Sequence, residues 1–332
     1  MRALNFACIG GWHIHTERFI AKVNEYPDCR VSVIWDPDKE RGTERAQRYH
    51  CEYAETYEEV LKDSTISGVL ITSATREHFQ QIKKALLAGK HVFVEKPPFY
   101  TVEEAVEIQK LLKKTGLKFL VSDPIRSVIR QLYCARKIME SGRIGKITTI
   151  RVRCAMQKAL VTDHIESFNP ALTGGGMMFD VGCHAVHMLC ILAGKANKVN
   201  AVFTGTSAAA REYGVDDNEV AVYEFDEGVI GIAETSALAE RREDFFLVSG
   251  THGSILCIDK EFRFRSDGSD WIRVEPDEWP LEKAYPLYRW IDAIEENEPV
   301  EDCGIEDAIQ FTQMITGAYV ASRYGVDIKT KS

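Results

Sequence analysis

The sequence contains one stretch that decides its fold, His91-Val92-Phe93-Val94-Glu95-Lys96-Pro97-Pro98. Three consecutive apolar residues after Gly89 predict a strand buried on both faces, as in a parallel sheet covered by helices. Two prolines then end the strand, because a central strand needs the backbone N–H that proline lacks. Open α/β sheets bind ligands at the carboxyl ends of their strands. Lys96 therefore lies where a lysine can act on a ligand, although a surface lysine at a strand end is the alternative.

Apolar segments of strand length alternate with amphipathic segments of helix length over the first 120 residues. This is the pattern of stacked βαβ units, so we predict a doubly wound parallel sheet of the Rossmann type in residues 1–123. Later segments are mostly strands with few helices. Residues 124–332 are therefore predicted to form an α+β domain with a mainly antiparallel, open sheet, whose exposed face is a candidate dimer interface.

The bulk composition excludes several classes of protein. At 332 residues the chain is long enough for two domains with separate cores. A formal net charge of −9 argues against a nucleic-acid partner, which needs a basic face. No apolar run approaches the ~20 residues that cross a bilayer, and the first ten residues are too short for a signal peptide. Nine scattered cysteines without a C-x-x-C pair predict reduced thiols, and hence a cytoplasmic protein.

A glycine pair, Gly10-Gly11, follows the first predicted strand. Dinucleotide-binding turns require glycine for the tight turn and again where the backbone approaches the pyrophosphate. In this chain Trp12 and His15 stand at the second and third glycine positions. Either Gly11 takes over the close approach, or the phosphates are held less tightly.

Asp36 ends the second predicted strand, 26 residues after Gly10. A carboxylate there can accept hydrogen bonds from the adenosine ribose hydroxyls, and its charge would repel a 2′-phosphate. We therefore predict NAD as the cofactor in preference to NADP. Arg41 is the counter-argument, and we expect it to face solvent from the following helix.

The H-x-H spacing of His13 and His15 invites a metal interpretation. The two rings should point to opposite sides of an extended chain, and no cysteine or carboxylate clusters nearby in the sequence. We therefore predict no metal at this turn. His13 is instead predicted to line the cofactor site.

A second stretch, Gly174-Gly175-Gly176-Met177-Met178-Phe179-Asp180-Val181-Gly182-Cys183-His184, combines a glycine-rich entry with the start of a helix predicted over 180–192. Asp180, His184 and His187 fall at i, i+4 and i+7, which share one helix face. A carboxylate below an imidazole can orient the ring and stabilise its protonated form. The pattern supports proton exchange between His184 and a substrate hydroxyl, while Lys96 from the other domain stabilises negative charge on the same oxygen.

The same residues also allow a metal interpretation. Asp180, His184 and His187 have ligand chemistry, and His164 would supply a fourth ligand, as in a metal-dependent hydrolase or lyase. The cation of Lys96 would oppose a metal, so we favour the proton relay. Purely structural histidines are the third alternative.

Together, Glu95-Lys96-Pro97 and the stretch ending at His184 resemble the signatures of the glucose–fructose oxidoreductase / inositol dehydrogenase (Gfo/Idh/MocA) family. The resemblance implies a two-domain NAD(P)-dependent oxidoreductase that acts on a sugar, polyol or related cyclic alcohol, assembled as a homodimer or homotetramer. It implies that Lys96 is the catalytic lysine, Asp180 a substrate-binding aspartate and His184 the proton-transfer histidine. Trp12 departs from the family pattern, and so does His187, which stands where aspartate is common.

The resemblance also implies cofactor contacts from the turn after the fourth strand and from Arg126. For Thr75 in that turn, N-capping of the next helix is an alternative that can coexist. The predicted cofactor-binding residues are Gly10, Gly11, Trp12, His13, Asp36, Ser73, Thr75, His78, Glu95, Lys96 and Arg126, and the predicted substrate-binding residues are Lys96, His164, Asp180, His184 and His187. The main alternative function is a non-catalytic dinucleotide or sugar sensor, which the altered glycine turn favours and the intact Lys96, Asp180 and His184 disfavour.

Overall fold

The computed structural model describes residues 3–122, 128–157, 165–275, 285–300 and 302–330. The chain divides into two compact units. Unit 1 comprises Met1–Asp123 and Lys283–Ile309, and unit 2 comprises Pro124–Glu282 and Gln310–Ser332. The boundary predicted at 123/124 did not include this return of the chain to the first unit.

The elements are numbered in chain order over the described residues. The strands are β1 (Leu4–Ile9), β2 (Cys29–Trp35), β3 (Glu52–Tyr53), β4 (Ile66–Ile71), β5 (His91–Val94), β6 (Phe119–Val121), β7 (Ile147–Gln157), β8 (Ala196–Thr204), β9 (Asn218–Phe225), β10 (Ile230–Ala239), β11 (Glu243–Gly250), β12 (Gly253–Ile258), β13 (Glu261–Ser266), β14 (Ile272–Arg273) and β15 (Ile328–Lys329). The α-helices are α1 (Thr16–Glu25), α2 (Lys39–Tyr49), α3 (Tyr57–Lys62), α4 (Thr75–Leu87), α5 (Val102–Thr115), α6 (Ile129–Glu140), α7 (Pro170–Thr173), α8 (Met177–Asp180), α9 (Gly182–Ala193), α10 (Ala208–Tyr213), α11 (Pro286–Glu295) and α12 (Ile305–Tyr324).

Unit 1 is built on a six-stranded sheet in the order β3-β2-β1-β4-β5-β6, and every neighbouring pair is parallel. This order confirms the predicted doubly wound sheet. Helices cover both faces, so successive residues of β1 enter opposite cores. Phe6 and Cys8 pack with α1 and α11 on one face, and Ala7 and Ile9 pack with α4 and α5 on the other.

The helix α11 comes from late in the chain and completes one face of this sheet. Trp290 is fully buried, with its ring centroid 5.0 Å from that of Phe6 and 5.9 Å from that of Phe93. A Cβ on Gly68 would lie 2.9 Å from the indole, so glycine in β4 makes room for the tryptophan. The indole N–H donates to the Lys118 carbonyl at 3.3 Å.

Unit 2 is built on a nine-stranded sheet in the order β14-β13-β12-β11-β7-β10-β9-β8-β15. Its pairs are antiparallel except β7 with β10, which agrees with the predicted mainly antiparallel sheet. The helices α9 and α12 pack on one face, where buried Tyr223 donates to the Met314 carbonyl. The other face is open, and side chains of β9 alternate strictly between buried and exposed.

The helix predicted over 180–192 is wrong in one respect, because it breaks at Val181. Helix α8 ends at Asp180 and α9 begins at Gly182, and the segment Pro170–Asp180 meets Gly182–Ala193 at a bend of 53°. A Cβ on Gly182 would lie 2.5 Å from the Met178 sulfur, so packing at the bend requires glycine.

Among the described residues, no single helix has the length and apolar composition to cross a bilayer. Only the two helical segments Pro170–Asp180 and Gly182–Ala193, counted together, have that length and apolar composition, and they are bent relative to each other.

Candidate functional site

The turn between β1 and α1 offers bare backbone at the carboxyl end of the parallel sheet. Gly10 has a φ of +72° and donates its N–H to the Trp35 carbonyl at 2.7 Å. A Cβ on Gly10 would lie 2.2 Å from Ser73 Oγ, and one on Gly11 would lie 1.7 Å from Arg45 Nη1. Both positions therefore exclude any side chain, as the approach of a pyrophosphate requires.

The amino end of α1 lies directly after this turn. The helix begins at Thr16, with His15 at its N-cap and no side-chain cap hydrogen bond. The first N–H groups of a helix favour an anion. Trp12 and His13 occupy the turn itself and are partly buried. The structure thus brings the predicted residues of the turn together at the start of one ten-residue helix.

Asp36 follows β2, and its side chain is fully buried. Arg41 binds it in a bidentate pair, with Nε 2.7 Å from Oδ2 and Nη2 2.6 Å from Oδ1. Arg45 Nη1 approaches Oδ2 at 3.5 Å. The expectation that Arg41 faces solvent is therefore wrong. Its guanidinium offers two parallel N–H groups, which match the two oxygens of the Asp36 carboxylate. Two arginines neutralise the predicted ribose ligand.

Arg45 was missed by the sequence analysis. Its guanidinium also contacts Glu17 at 2.9 Å and the Gly11 carbonyl at 3.5 Å, so it links α2 to the glycine turn. Its position about two turns into a charged helix resembles that of any solvated arginine. Only the sheet order, which places β2 and α2 beside β1, reveals the contact.

The turn after β4 is built around a buried histidine. His78 Nδ1 lies 3.0 Å from the Pro97 carbonyl oxygen, and Nε2 lies 3.0 Å from that of Ser73. Burial lowers the pKa of His78 below its ordinary value. Thr75 is the first residue of α4, whereas Ala74 is the N-cap. The expectation that Thr75 caps the helix is wrong because the chain enters the helix one residue earlier.

The end of β5 places Glu95 and Lys96 in the interior of unit 1, where both are buried. Glu95 Oε1 accepts the Lys96 backbone N–H at 3.0 Å and the Ser122 hydroxyl at 3.0 Å. Its Oε2 faces His15 Nδ1 at 3.2 Å and His13 Nδ1 at 3.7 Å. Burial opposes the charge of Glu95, yet His13 and His15, and lastly Lys96, hold its pKa well below the usual range. Glu95 is therefore an ionised carboxylate that fixes the backbone of Lys96.

In unit 2, Asp180 and His184 are partly exposed, and they lie on either side of the break at Val181. The His184 backbone N–H donates to the Val181 carbonyl at 3.0 Å. The argument that Asp180, His184 and His187 share a face of one helix is therefore wrong for Asp180. His187 is buried in α9, with its ring edge against Phe311 at a centroid distance of 5.8 Å.

The start of α8, which carries Asp180, is held by Asp216. The Asp216 carbonyl accepts the Met177 N–H at 3.1 Å, and its Oδ2 accepts the Met178 N–H at 2.9 Å. The Tyr319 hydroxyl donates to the same Oδ2 at 3.1 Å. A Cβ on Gly176 would lie 2.3 Å from the Asp216 carbonyl oxygen, so the glycine-rich entry serves this close approach.

Potential metal ligands cluster at one place among the described ranges, at His13, His15 and Glu95. The triplet of Asp180, His184 and His187 does not come close enough to form such a group there. Two further predicted site residues, Arg126 and His164, lie outside the described residues.

Two family sequence models match this chain, one in its first part and one in its second. Residues 4–122 match the sequence model of an oxidoreductase family with an NAD-binding Rossmann fold, GFO_IDH_MocA. Residues 134–256 match the GFO/IDH/MocA C-terminal domain. These matches confirm the predicted Rossmann domain and the family resemblance seen in the motifs.

Individual relatives share about a third or less of their residues with this chain. D-xylose dehydrogenase of Paenarthrobacter nicotinovorans is 31% identical over 222 residues, which cover 61% of this chain and 57% of that protein. The match thus spans less than two thirds of that relative's length. The scyllo-inositol 2-dehydrogenase (NAD(+)) of Bacillus subtilis (strain 168) is 28% identical over 253 residues, covering 73% of this chain and 69% of that one.

A solved structure of levoglucosan dehydrogenase in complex with NADH and L-sorbose has the same fold. The TM-score is 0.85 at 21% sequence identity, with 99% of each chain covered. With both domain models of one family matched in order along the sequence, the chain belongs to the GFO/IDH/MocA oxidoreductase family.

Proposed function

We propose that this protein is an NAD-dependent dehydrogenase or reductase of a sugar, polyol or related cyclic alcohol. The observation that carries the proposal is the turn after β1, where two glycines exclude any Cβ at the start of α1. The family match supports the oxidoreductase class. The names of the relatives, a D-xylose dehydrogenase and a scyllo-inositol dehydrogenase that uses NAD(+), support the substrate class and the cofactor.

The residues of unit 1 fit a dinucleotide. Gly10, Gly11 and the first N–H groups of α1 would hold the pyrophosphate, and Asp36 would face the adenosine ribose. His78 would act indirectly, because its ring holds the Ser73 and Pro97 carbonyls. When bound, NAD supplies a nicotinamide that accepts or returns the hydride.

The protein itself handles the proton and the charge on the substrate oxygen. Lys96, whose backbone is fixed by Glu95 and Ser122, would stabilise the negative charge that develops on that oxygen. His184 would take the hydroxyl proton in oxidation and return it in reduction. Asp180 would bind a neighbouring substrate hydroxyl. These three roles are proposals that rest on the family pattern.

Turnover assays test this proposal directly. Sugars and polyols are screened with NAD by the absorbance of the reduced nicotinamide, using the full chain. Replacing Lys96 by Met should lower kcat by about 100-fold or more, since it removes a charge aimed at the developing oxyanion. Lys84→Met, at an exposed lysine that pairs with Glu58, is the matched control and should keep full activity.

The outcome also separates the enzyme from the sensor. A sensor would bind NADH and yet turn over none of the substrates. An active protein whose kcat is unaffected by Lys96→Met would refute the role of Lys96. A double variant with His184→Asn should lose little more than either single variant, because residues that act as one unit are strongly non-additive.

We further propose that the open sheet face of unit 2 forms a homodimer or homotetramer interface. Val202, Val220, Val222 and Ile230 are exposed by 41–67%, on three adjacent strands. A contiguous apolar patch on a sheet is typical of a protein interface. Sedimentation should give a dimer or tetramer for the native chain and a smaller species for Val220→Lys. A native monomer would contradict the proposal.

A further inference from the structure

We propose that His13, His15 and Glu95 form a binding site for one divalent transition-metal ion of the zinc class. Each side chain brings one ligand atom to within 4.8 Å of the other two. Along the part of the chain that the structure describes, no other three His, Cys, Asp or Glu side chains form such a group. The site adjoins the proposed dinucleotide turn, since His13 and Glu95 are also predicted to contact the cofactor, and it is tested by metal binding in the absence of NAD.

The distances match the spacing of ligands around zinc. Two ligands bound at 2.0–2.1 Å in a tetrahedron lie about 3.3 Å from each other. Glu95 Oε2 lies 3.2 Å from His15 Nδ1 and 3.7 Å from His13 Nδ1. The two imidazole centroids are 4.4 Å apart. The ligand nitrogens of His13 and His15 lie within 4.8 Å of each other, so the two rings must move closer to share one ion, with a fourth position left for water.

The Glu95 carboxylate is held by hydrogen bonds, as carboxylates that bind metal ions usually are. Glu95 Oε1 is occupied by the Lys96 N–H and the Ser122 hydroxyl, both at 3.0 Å, so Oε2 is directed at the two histidines. Hydrogen bonds of this kind orient a metal ligand and raise its affinity. The Glu95 side chain is fully buried, and a buried carboxylate needs a nearby cation.

The two histidines differ in how readily they can bind an ion. His15 Nδ1 points at the carboxylate, and its side chain is 21% exposed, which gives an ion a path from solvent. His13 Nδ1 accepts the His15 backbone N–H at 3.2 Å, and an ion at this atom would replace that hydrogen bond. His15 and Glu95 are therefore the stronger ligands, and His13 completes the set.

The sequence concealed this site because its carboxylate is remote. Glu95 is 80 residues from His15, at the end of β5, whereas the prediction of no metal considered only neighbours along the chain. Lys96 is the charge that opposes an ion here. A divalent ion on two neutral imidazoles and one carboxylate keeps a net charge of +1, so the site should bind moderately rather than as a structural zinc centre.

Metal titration of the full chain tests the proposal. Chelator-treated protein is titrated with Zn²⁺ by calorimetry and with Co²⁺ by its visible absorption, above the ordinary histidine pKa so that the ligands are deprotonated. One ion per chain should bind. His15→Ala and Glu95→Gln should each weaken binding by about 100-fold or more, and Ser122→Ala by roughly 10-fold, as loss of a supporting hydrogen bond does.

His252→Ala removes an exposed histidine of unit 2 and is the matched control, which should bind as the native chain does. Binding of no ion, or equal affinity in the native chain, His15→Ala and Glu95→Gln, overturns the proposal and leaves the cluster as an imidazole–carboxylate ion pair. Circular dichroism establishes that each variant folds. If Glu95→Gln does not fold, the loss of affinity in Ser122→Ala tests the role of the carboxylate instead. NADH affinity of the same metal-free samples reports on the proposed dehydrogenase separately.

Discussion

Replacing Asp36 by Asn should convert the cofactor preference from NADH towards NADPH. The side chain keeps its shape, while the ribose end of the proposed site loses one negative charge and retains Arg41 and Arg45. In the native chain these three groups carry a net charge of +1, and in the variant they carry +2. The bidentate fork of Arg41, now at 2.6 and 2.7 Å from Asp36, becomes available for a 2′-phosphate.

The magnitude follows from Coulomb's law. One unit charge about 6 Å from a phosphate contributes roughly 3 kcal/mol per phosphate charge at an effective dielectric constant of ~20. The Arg41 side chain is 35% exposed, so solvent screens much of this. We expect a net gain of about 1.5–2 kcal/mol, which is a 10- to 30-fold tighter NADPH complex. NADH should weaken by about 10-fold, as loss of a charged hydrogen-bond acceptor does.

Fluorescence titration with NADH and NADPH measures both affinities. Asp38→Asn is the matched control: Asp38 also approaches Arg41, at 3.8 Å, but its side chain is 52% exposed. Asn serves equally well at its N-cap position on α2. Its cofactor affinities should stay within about twofold. An unchanged NADPH affinity in Asp36→Asn, or an equal shift in Asp38→Asn, would refute the placement of the ribose beside Asp36.

Three further outcomes follow from the structure. Gly11→Ala should weaken NADH by about 10-fold or more, because the new methyl would lie 1.7 Å from Arg45 Nη1 and 2.6 Å from Asp36 Oδ2, where no side chain fits; calorimetry that finds native affinity contradicts this. Burial, and then Lys118, lower the pKa of His91 to about 4, so the unfolded chain binds the extra proton between about pH 4 and 6.5. Stability should therefore rise with pH across that window, and urea titrations of His91→Asn should show a smaller rise. Burial raises the pKa of Cys8 and Cys257 to about 12 and that of Cys51 to about 11, so access should decide the order of labelling. A thiol reagent at pH 8 should label the half-buried Cys51 and Cys190 first and all nine cysteines only in denaturant.

Local signals in the sequence were sufficient for most of unit 1. Thr101 and Glu104 form a capping box, in which the Thr101 side chain accepts the Glu104 backbone N–H and the Glu104 side chain accepts the Thr101 backbone N–H. Helix α1 buries Phe19, Ile20 and Val23 on one face, which is the spacing that an amphipathic helix requires. These features depend on residues within one or two helical turns, which is why they can be read without the fold.

Features that depend on contacts between distant residues could not be predicted. The break at Val181 depends on Met178 and Thr235 packing against Gly182, and β10 lies more than 40 residues further on. The pairing of Arg41 and Arg45 with Asp36 depends on the rotation of α2 over the sheet edge. Glu95 as the partner of His15 depends on β1 and β5 ending at the same side. Each was invisible because a linear pattern does not state which polar groups meet in space.

The late arrival of Trp290 has a consequence for biosynthesis. The six strands of unit 1 have all been translated by Val121. The Lys118 carbonyl, however, accepts its hydrogen bond from the Trp290 indole, which is encoded 172 positions later. At roughly 5–20 residues per second, the ribosome needs roughly 10–30 s to deliver it. During that interval Phe6 and Phe93 lack the Trp290 ring, although Phe93 keeps its contact with Phe19. Until the indole is translated, the nascent chain thus carries an unfinished hydrophobic face that is open to chaperones.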